Sequence, residues 1–177
     1  MEQIKKNEIN QYLTFKIAAE EYALNVSNVK EVLSVSKITK VPRMPAFMSG
    51  VINLRGKVVP VLDLCKKFGL GETTITQSTG IIVTEMENLG DSGEKEELII
   101  GIFSDEVQKV ITIEPDQISP PPKIGVSIDT AFIQGMGHVD SNFIMILNIN
   151  KILSGNEVEV LQEQSDISTN KIDEIQD

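Results

Sequence analysis

The sequence predicts a mainly β protein whose strands close into barrels or double into a sandwich, and three observations carry that expectation. Apolar residues recur with period two far more often than with period 3.6, as in "YLTFKI" and "FIMIL", and many are β-branched. The connections between apolar runs are too short for the repeated crossover helices of a doubly wound α/β sheet. A chain of 177 residues with 41% apolar composition can build a full hydrophobic core, as one domain or as two small subdomains sharing it.

The elements follow in order. Strands are expected over 12–18, 21–25 and 32–37, then over 50–54 and 58–62, which flank Arg55-Gly56. Gly56 supplies the conformational freedom of a hairpin turn there, and Pro60 favours an edge or bulged position. Strands over 80–85 and 98–103 flank "ENLGDSGEKEE", whose five acidic residues and glycines read as a hairpin loop. After a strand over 107–113, "ISPPPKIG" cannot continue a hydrogen-bonded ladder and is expected as an extended linker or turn. The last pair, 130–136 and 143–149, flanks a turn containing His138. Three one- or two-turn helices interrupt the strands. "PAFMSG" opens on Pro45 and stops at Gly50, "DLCKKFG" is capped by Asp63 and ends at Gly69, and "NINKILSG" is capped by Asn148 or Asn150 and stops at Gly155.

Charge bounds the partners. The net charge is −10, with 26 acidic against 16 basic residues, and the lysines are dispersed, so a nucleic-acid partner is not expected. No apolar run approaches a membrane span and the N-terminus lacks a signal-peptide pattern, so a cytoplasmic protein without membrane insertion is expected. The acidity is concentrated at the C-terminus, where Gly155 to Asp177 carries seven acidic residues and one lysine. That segment has little to bury and reads as a flexible extension, dispensable for the core, that could fold on a partner.

Candidate chemistry is sparse. The single histidine, His138, has no nucleophile motif near it and reads as an exposed or hydrogen-bonded turn residue. Asp129 and Asp140 read as surface aspartates. Cys65 lies beside Asp63, Lys66 and Lys67, yet no acceptor base or resolving cysteine accompanies it, so a small buried side chain on a short helix is the better reading. Metal motifs are missing. "NLRGK" has one glycine where a phosphate loop needs several, and is better read as a hairpin that displays Arg55 to a carboxylate or carbonyl of another protein.

The segments "YLTFKIAAEEYALNVSNVKEVL", "ITKVPRMPAFMSGVINLRGKVVPVLDLCKKFGL", "GIIVTE", "LIIGIFSDEVQKVITI" and "HVDSNFIMILNINKILS" together resemble the CheW-type chemotaxis coupling family. The resemblance spans nearly all of Tyr12 to Ser154. It implies two intertwined five-stranded SH3-like barrels around a shared core within residues 8–154, followed by the acidic extension 155–177. It also implies no catalytic centre, no cofactor and no metal. The implied partners are the cytoplasmic tips of chemoreceptors and the regulatory domain of a CheA-type histidine kinase, which would bring the protein to membrane-bound receptor arrays through protein contacts. Residue by residue, the implied receptor interface is Arg55 and Glu31 with their apolar neighbours Val29 and Val32. Gly50 and Gly56 are implied as coupling-sensitive turn positions, and Ile124 and Ile133 stand between kinase contact and core packing. Cys65 stands where the family commonly has arginine, and Ser104 where it usually has valine.

Overall fold

The computed structural model describes residues 10–89, 95–121, 132–154, 157, 158, 160 and 161. Among them, eleven strands form two sheets: β1 Gln11–Ile17, β2 Glu20–Asn25, β3 Val29–Ser34, β4 Met48–Leu54, β5 Lys57–Leu62, β6 Gly80–Leu89, β7 Lys95–Ser104, β8 Glu106–Thr112, β9 Ile118–Ser119, β10 Ile133–Val139 and β11 Asn142–Leu147. A short helix, α1, spans Leu64–Lys67, residues 157, 158, 160 and 161 are also helical, and 3-10 turns occupy Val26–Asn28, Pro115–Gln117 and Ile149–Lys151.

The sheets interleave along the chain. The first and last strands share a six-stranded sheet in the order β8-β1-β2-β11-β10-β9, while the middle of the chain forms a five-stranded sheet in the order β3-β6-β7-β5-β4. Each sheet contains one parallel junction, β2 beside β11 and β5 beside β7, and every other pairing is antiparallel. Three hairpins turn in two residues with both φ positive: Ala18-Ala19, Arg55-Gly56 and Asp140-Ser141. This mirror-image turn matches the right-handed twist of the flanking strands.

Strand alternation feeds three cores. In β2 and β11, Tyr22, Leu24 and Leu147 enter a large core shared by both sheets, whereas Ala23, Ile144 and Ile146 join Tyr12 and Ile113 in a core belonging to the six-stranded sheet. In β6 and β7, Ile82, Ile100 and Ile102 face the shared core, whereas Ile81, Val83 and Phe103 join Ile52, Val59 and Val61 in a core belonging to the five-stranded sheet. These strands are apolar on both faces because both faces are covered, which is why "GIIV" and "LIIGIF" read as continuous apolar runs.

Tyr22 sits in the middle of the shared core, stacked between Phe15 and Phe68 at ring-centroid distances of 6.3 and 6.1 Å. Its hydroxyl finds no hydrogen-bond partner among the described residues. Burial, with the nearby charges of Glu20 and Cys65, pushes its pKa from 10.0 up to about 12. Tyr22→Phe is therefore expected to stabilise the protein by about 1 kcal/mol, because it deletes a buried polar atom and leaves the ring in place. The raised pKa means that the unfolded chain ionises first as pH rises, so wild type loses stability between about pH 10 and 12 and the variant loses less. Urea melts of both proteins across that range measure the difference.

Several boundaries differ from the sequence reading for identifiable reasons. The expected 32–37 strand is Val29–Ser34, because it pairs with β6 from Val29↔Thr84 to Ser34↔Gly80 and β6 begins at Gly80. "PAFMSG" forms no helix: Met48 donates its N–H to the Pro45 carbonyl at 2.9 Å and is already in β4, opposite Leu62. The acidic stretch 87–97 is mostly ladder, with Glu87↔Glu97, Asn88↔Glu96 and Leu89↔Lys95 paired, so pairing overrides local composition. His138 lies within β10 rather than in a turn, and β9 was not expected at all. The helix after Asp63 forms as expected, the carboxylate accepting from the Cys65 N–H at 3.0 Å.

The expected C-terminal boundary also moves. Ser154 and Glu157 cap each other reciprocally, Ser154 N–H to the carboxylate at 2.8 Å and Glu157 N–H to the hydroxyl at 3.2 Å. Beyond this capping box Val158 and Leu161 are buried in the shared core, so these residues belong to the packed body and not to a dispensable extension. Residues 162–177 lie outside those described.

Lys67 ties this C-terminal segment to α1. Its ammonium donates to Glu157 at 2.6 Å and lies 4.3 Å from the Phe47 ring centroid. Burial pushes the Glu157 carboxyl up, but the bonds from Lys67 and Ser154 outweigh it and hold the pKa below its usual 4.5. A depressed carboxyl pKa contributes stability that is present above the unfolded value and lost as pH falls through the folded one. Glu157→Gln is thus expected to cost about 1–2 kcal/mol at neutral pH, between the values for exposed and buried pairs, with the deficit closing as pH falls through the lowered carboxyl pKa, below the usual 4.5. Parallel chemical melts of wild type and variant at neutral and acid pH check both the size and the sign.

Candidate protein-interaction site

The β4–β5 hairpin displays Arg55. Arg55 and Gly56 adopt φ of +50° and +84°. The Asn53 side-chain oxygen accepts from the Gly56 N–H at 2.9 Å, pinning the turn from below. The Arg55 side chain is 75% exposed, and its Nη2 donates to Glu31 at 2.9 Å to Oε2 and 3.3 Å to Oε1.

Glu31 stands on β3, one edge of the five-stranded sheet, while β4 is the opposite edge. The pair therefore joins the two edges of a single curled sheet. One guanidinium nitrogen serves both carboxylate oxygens, which leaves the other nitrogens of this exposed fork as donors for a partner. Sequence reasoning named both residues, but the edge-to-edge contact depends on sheet curvature that no local pattern encodes.

The expected apolar neighbours separate. Along β3, Glu31 and Leu33 alternate with Lys30 and Val32, and a register shift lies between Val29 and Glu31. Leu33 packs against the core of the five-stranded sheet and half-buried Val29 against the shared core. Val32 is 44% exposed, so it is the valine available to a partner. A methyl placed on Gly80 would meet Val107 at 3.1 Å and Val32 at 3.8 Å, so these two valines flank one glycine where β8 of the other sheet approaches. Val107 was missed in the sequence, and the glycine heading the strand "GIIV" was the available signal of a close backbone approach.

Gly50 is neither a helix stop nor a turn. It lies within β4 at φ +148°, at a register shift between Met48 and Gly50. The adjacent Val51 forms a bridge with Thr39, N–H to carbonyl at 2.8 and 2.9 Å in the two directions. Ile133 is buried in the shared core, which assigns it to packing, and Ile124 and Asp129 lie outside the described residues.

The groups considered for chemistry do not converge. Cys65 is buried on α1, and burial together with Asp63 and Asp105 pushes its thiol pKa up, away from reactivity. Asp63 is consumed by Cys65 and by the Thr73 N–H and hydroxyl. His138 bonds Ser119 at 2.9 Å and meets the exposed Phe143 ring edge-on at 4.7 Å, on the other sheet. Among the described residues no three His, Cys, Asp or Glu side chains are grouped to hold a metal ion, and no helix is long and apolar enough to cross a membrane.

The CheW-like domain family model matches residues 11–157. The chain belongs to the CheW-like domain family. It is 30% identical over 148 residues to the chemotaxis protein CheW of Klebsiella aerogenes, covering 84% of each chain. It is 33% identical over 142 residues to that of Bacillus subtilis, covering 80% of this chain and 85% of the other. The crystal structure of the scaffolding protein TtCheW from Thermoanaerobacter tengcongensis superposes with a TM-score of 0.73 at 34% identity, over 89% of this chain and 96% of that one. The CheW-like match ends at Glu157, three residues beyond the boundary expected from the sequence.

Proposed function

We infer that this chain is a non-enzymatic adaptor that couples chemoreceptors, the methyl-accepting chemotaxis proteins, to a CheA-type histidine kinase. Membership of the CheW-like family over most of the chain is the observation that carries this reading. The Arg55–Glu31 pair supports the receptor side: it presents an exposed guanidinium with spare donors, the kind of group that recognises carboxylates and carbonyls on another protein. Val32 gives the same region an exposed apolar contact.

In this reading the two sheets are intertwined SH3-like barrels of five strands each, with the two-residue β9 added at one edge. Their separate cores and the edge-to-edge Arg55–Glu31 contact support it. The protein acts in the cytoplasm and reaches receptor arrays at the membrane through protein contacts. Reconstitution with receptor tips and the kinase is the direct test. Adding the protein should raise kinase phosphorylation and make it ligand-sensitive, and a protein that changes neither is not this adaptor.

A further inference from the structure

A second surface lies at the other end of β4 from the Arg55 turn. There a groove of about 440 Å³ opens among the segment between β3 and β4, the start of α1 and the loop after it. Its apolar side chains extend from two cores: half-buried Ile38 packs against the core of the five-stranded sheet, and half-buried Val41 and Met44 against the shared core. Ile75, also in the lining, is 55% exposed and belongs to none of the three cores. The loop that carries it is tethered on both sides. The Thr73 N–H and hydroxyl donate to Asp63 at 3.0 and 2.7 Å, and the Thr76 N–H donates to the Thr79 hydroxyl at 2.8 Å.

The charges of the groove do not balance. Asp63 is consumed by Cys65 and Thr73, and Glu72 pairs with Lys66 at 3.4 Å. Lys40 and Arg43 are exposed, and among the described residues neither forms an ion pair. In a chain of net charge −10 these are two uncompensated cations beside apolar surface. Backbone geometry singles out one of them. Arg43 has φ +63° and follows Pro42, the order of a type II turn, whose third residue favours glycine. Among the described residues, every other non-glycine residue with positive φ belongs to one of the three two-residue hairpins. Backbone strain of this kind concentrates at ligand clamps and switch regions.

We propose that this groove docks an acidic, apolar peptide segment of a partner protein, with apolar side chains set against Met44 and Ile75 and carboxylates against Lys40 and Arg43. Charge complementarity names the occupant. An anionic membrane, a nucleic acid or a second copy of this acidic chain brings extended negative charge that the rest of the molecule repels, whereas a short segment meets only the groove. A small anion gains nothing from Met44 and Ile75. The groove and Arg55 stand at opposite ends of β4, about 20 Å apart for a strand of that length, so an adaptor engaged at Arg55 can hold this segment as well.

The test titrates the isotope-enriched full chain with a capped synthetic peptide of alternating glutamate and leucine, and with a counterpart in which lysine replaces glutamate. Amide signals of Lys40, Arg43, Met44 and Ile75 should shift with the acidic peptide, while those around Arg55 and Phe143 should not, and the lysine peptide should leave the groove signals in place. Binding should weaken about tenfold in Ile75→Ser and about a hundredfold in Lys40→Glu/Arg43→Glu, which removes two charge-assisted contacts. Arg43→Gly separates recognition from folding. It relieves the strained Cβ, so its melting temperature should equal or exceed that of wild type while binding falls about tenfold. Groove shifts that are absent, centred on another surface, equal for both peptides or unchanged in the double variant overturn the proposal. So do shifts reproduced in full by sodium acetate or by raising the protein concentration, which assign the surface to a small anion or to a second copy. A lowered melting temperature in Arg43→Gly, with peptide affinity unchanged, would make the arginine a support of the fold and end its assignment to the partner.

Discussion

Gly50→Val is expected to cost about 3–5 kcal/mol of folding stability, at the upper end of single-substitution effects. Two independent penalties coincide at this position. Its φ of +148° is a region that residues with a Cβ rarely adopt, and a Cβ there would lie 2.5 Å from the Thr39 carbonyl oxygen and 2.7 Å from Ile38 Cγ2. Thr39 cannot yield cheaply, because that carbonyl accepts the Val51 N–H at 2.8 Å. Gly56 provides the contrast: its φ is +84° but nothing stands within 4 Å of an added Cβ. Gly56→Ala should therefore cost only the backbone term of about 1–2 kcal/mol. Urea unfolding of the two variants separates the positions. A Gly50 variant as stable as wild type but poor in coupling would show that the glycine contacts a partner, and would remove the packing explanation.

Arg55→Ala should leave the fold almost untouched and weaken receptor association by about 2–5 kcal/mol, the usual cost of truncating one member of a charge pair desolvated at an interface. The exposed pair with Glu31 is worth only about 0–1 kcal/mol to stability. The turn is also indifferent to the change, since alanine and arginine meet the same Cβ penalty at φ +50°. Arg55→Gly removes that penalty, so it should be slightly more stable than wild type and still bind receptor poorly. Arg55→Glu should bind worst, through repulsion from acidic receptor groups and from Glu31 beside it. Titrations against receptor fragments and, separately, the kinase regulatory domain decide the matter. Equal receptor affinity across all four proteins would end the assignment. Loss of both partners with a lowered melting point would instead make Arg55 a support of the fold.

Local chemistry made part of this readable in the sequence. Period-two apolar patterning located ten of the strands, the Arg55-Gly56 pair located its hairpin, and Asp63 located α1, because each is decided within a few residues. Features decided across the fold were not readable. Whether "PAFMSG" becomes a helix depends on β5 supplying a partner for Met48 and Val51. Glu87 and Glu97 face each other in a ladder although acidic runs usually solvate loops, because β6 and β7 are already paired from Gly80↔Ser104 onward. The capping box "SGNE" and the apolar Val158 and Leu161 after it were a legible signal, outweighed by the acidity of the segment around them. At the candidate site both charged residues were legible, but their meeting across the sheet edges and the proximity of Val107 to Val32 were not.

The parallel junction between β2 and β11 has a consequence for synthesis. Ala23 sits beside Ile146, so the inner edge of the first hairpin is completed by a strand made 123 residues later. At the usual elongation rate of about 5–20 residues per second, that edge waits for roughly 6–25 s after it is made. The five-stranded sheet, contained between Val29 and Ser104, has all its strands long before then. The nascent chain therefore carries a finished half and an open one. During that interval the β1–β2 hairpin, with the unpaired edge of Tyr22 and Ala23, is the element most exposed to strand pairing with a neighbouring nascent chain and the one a chaperone has most reason to cover.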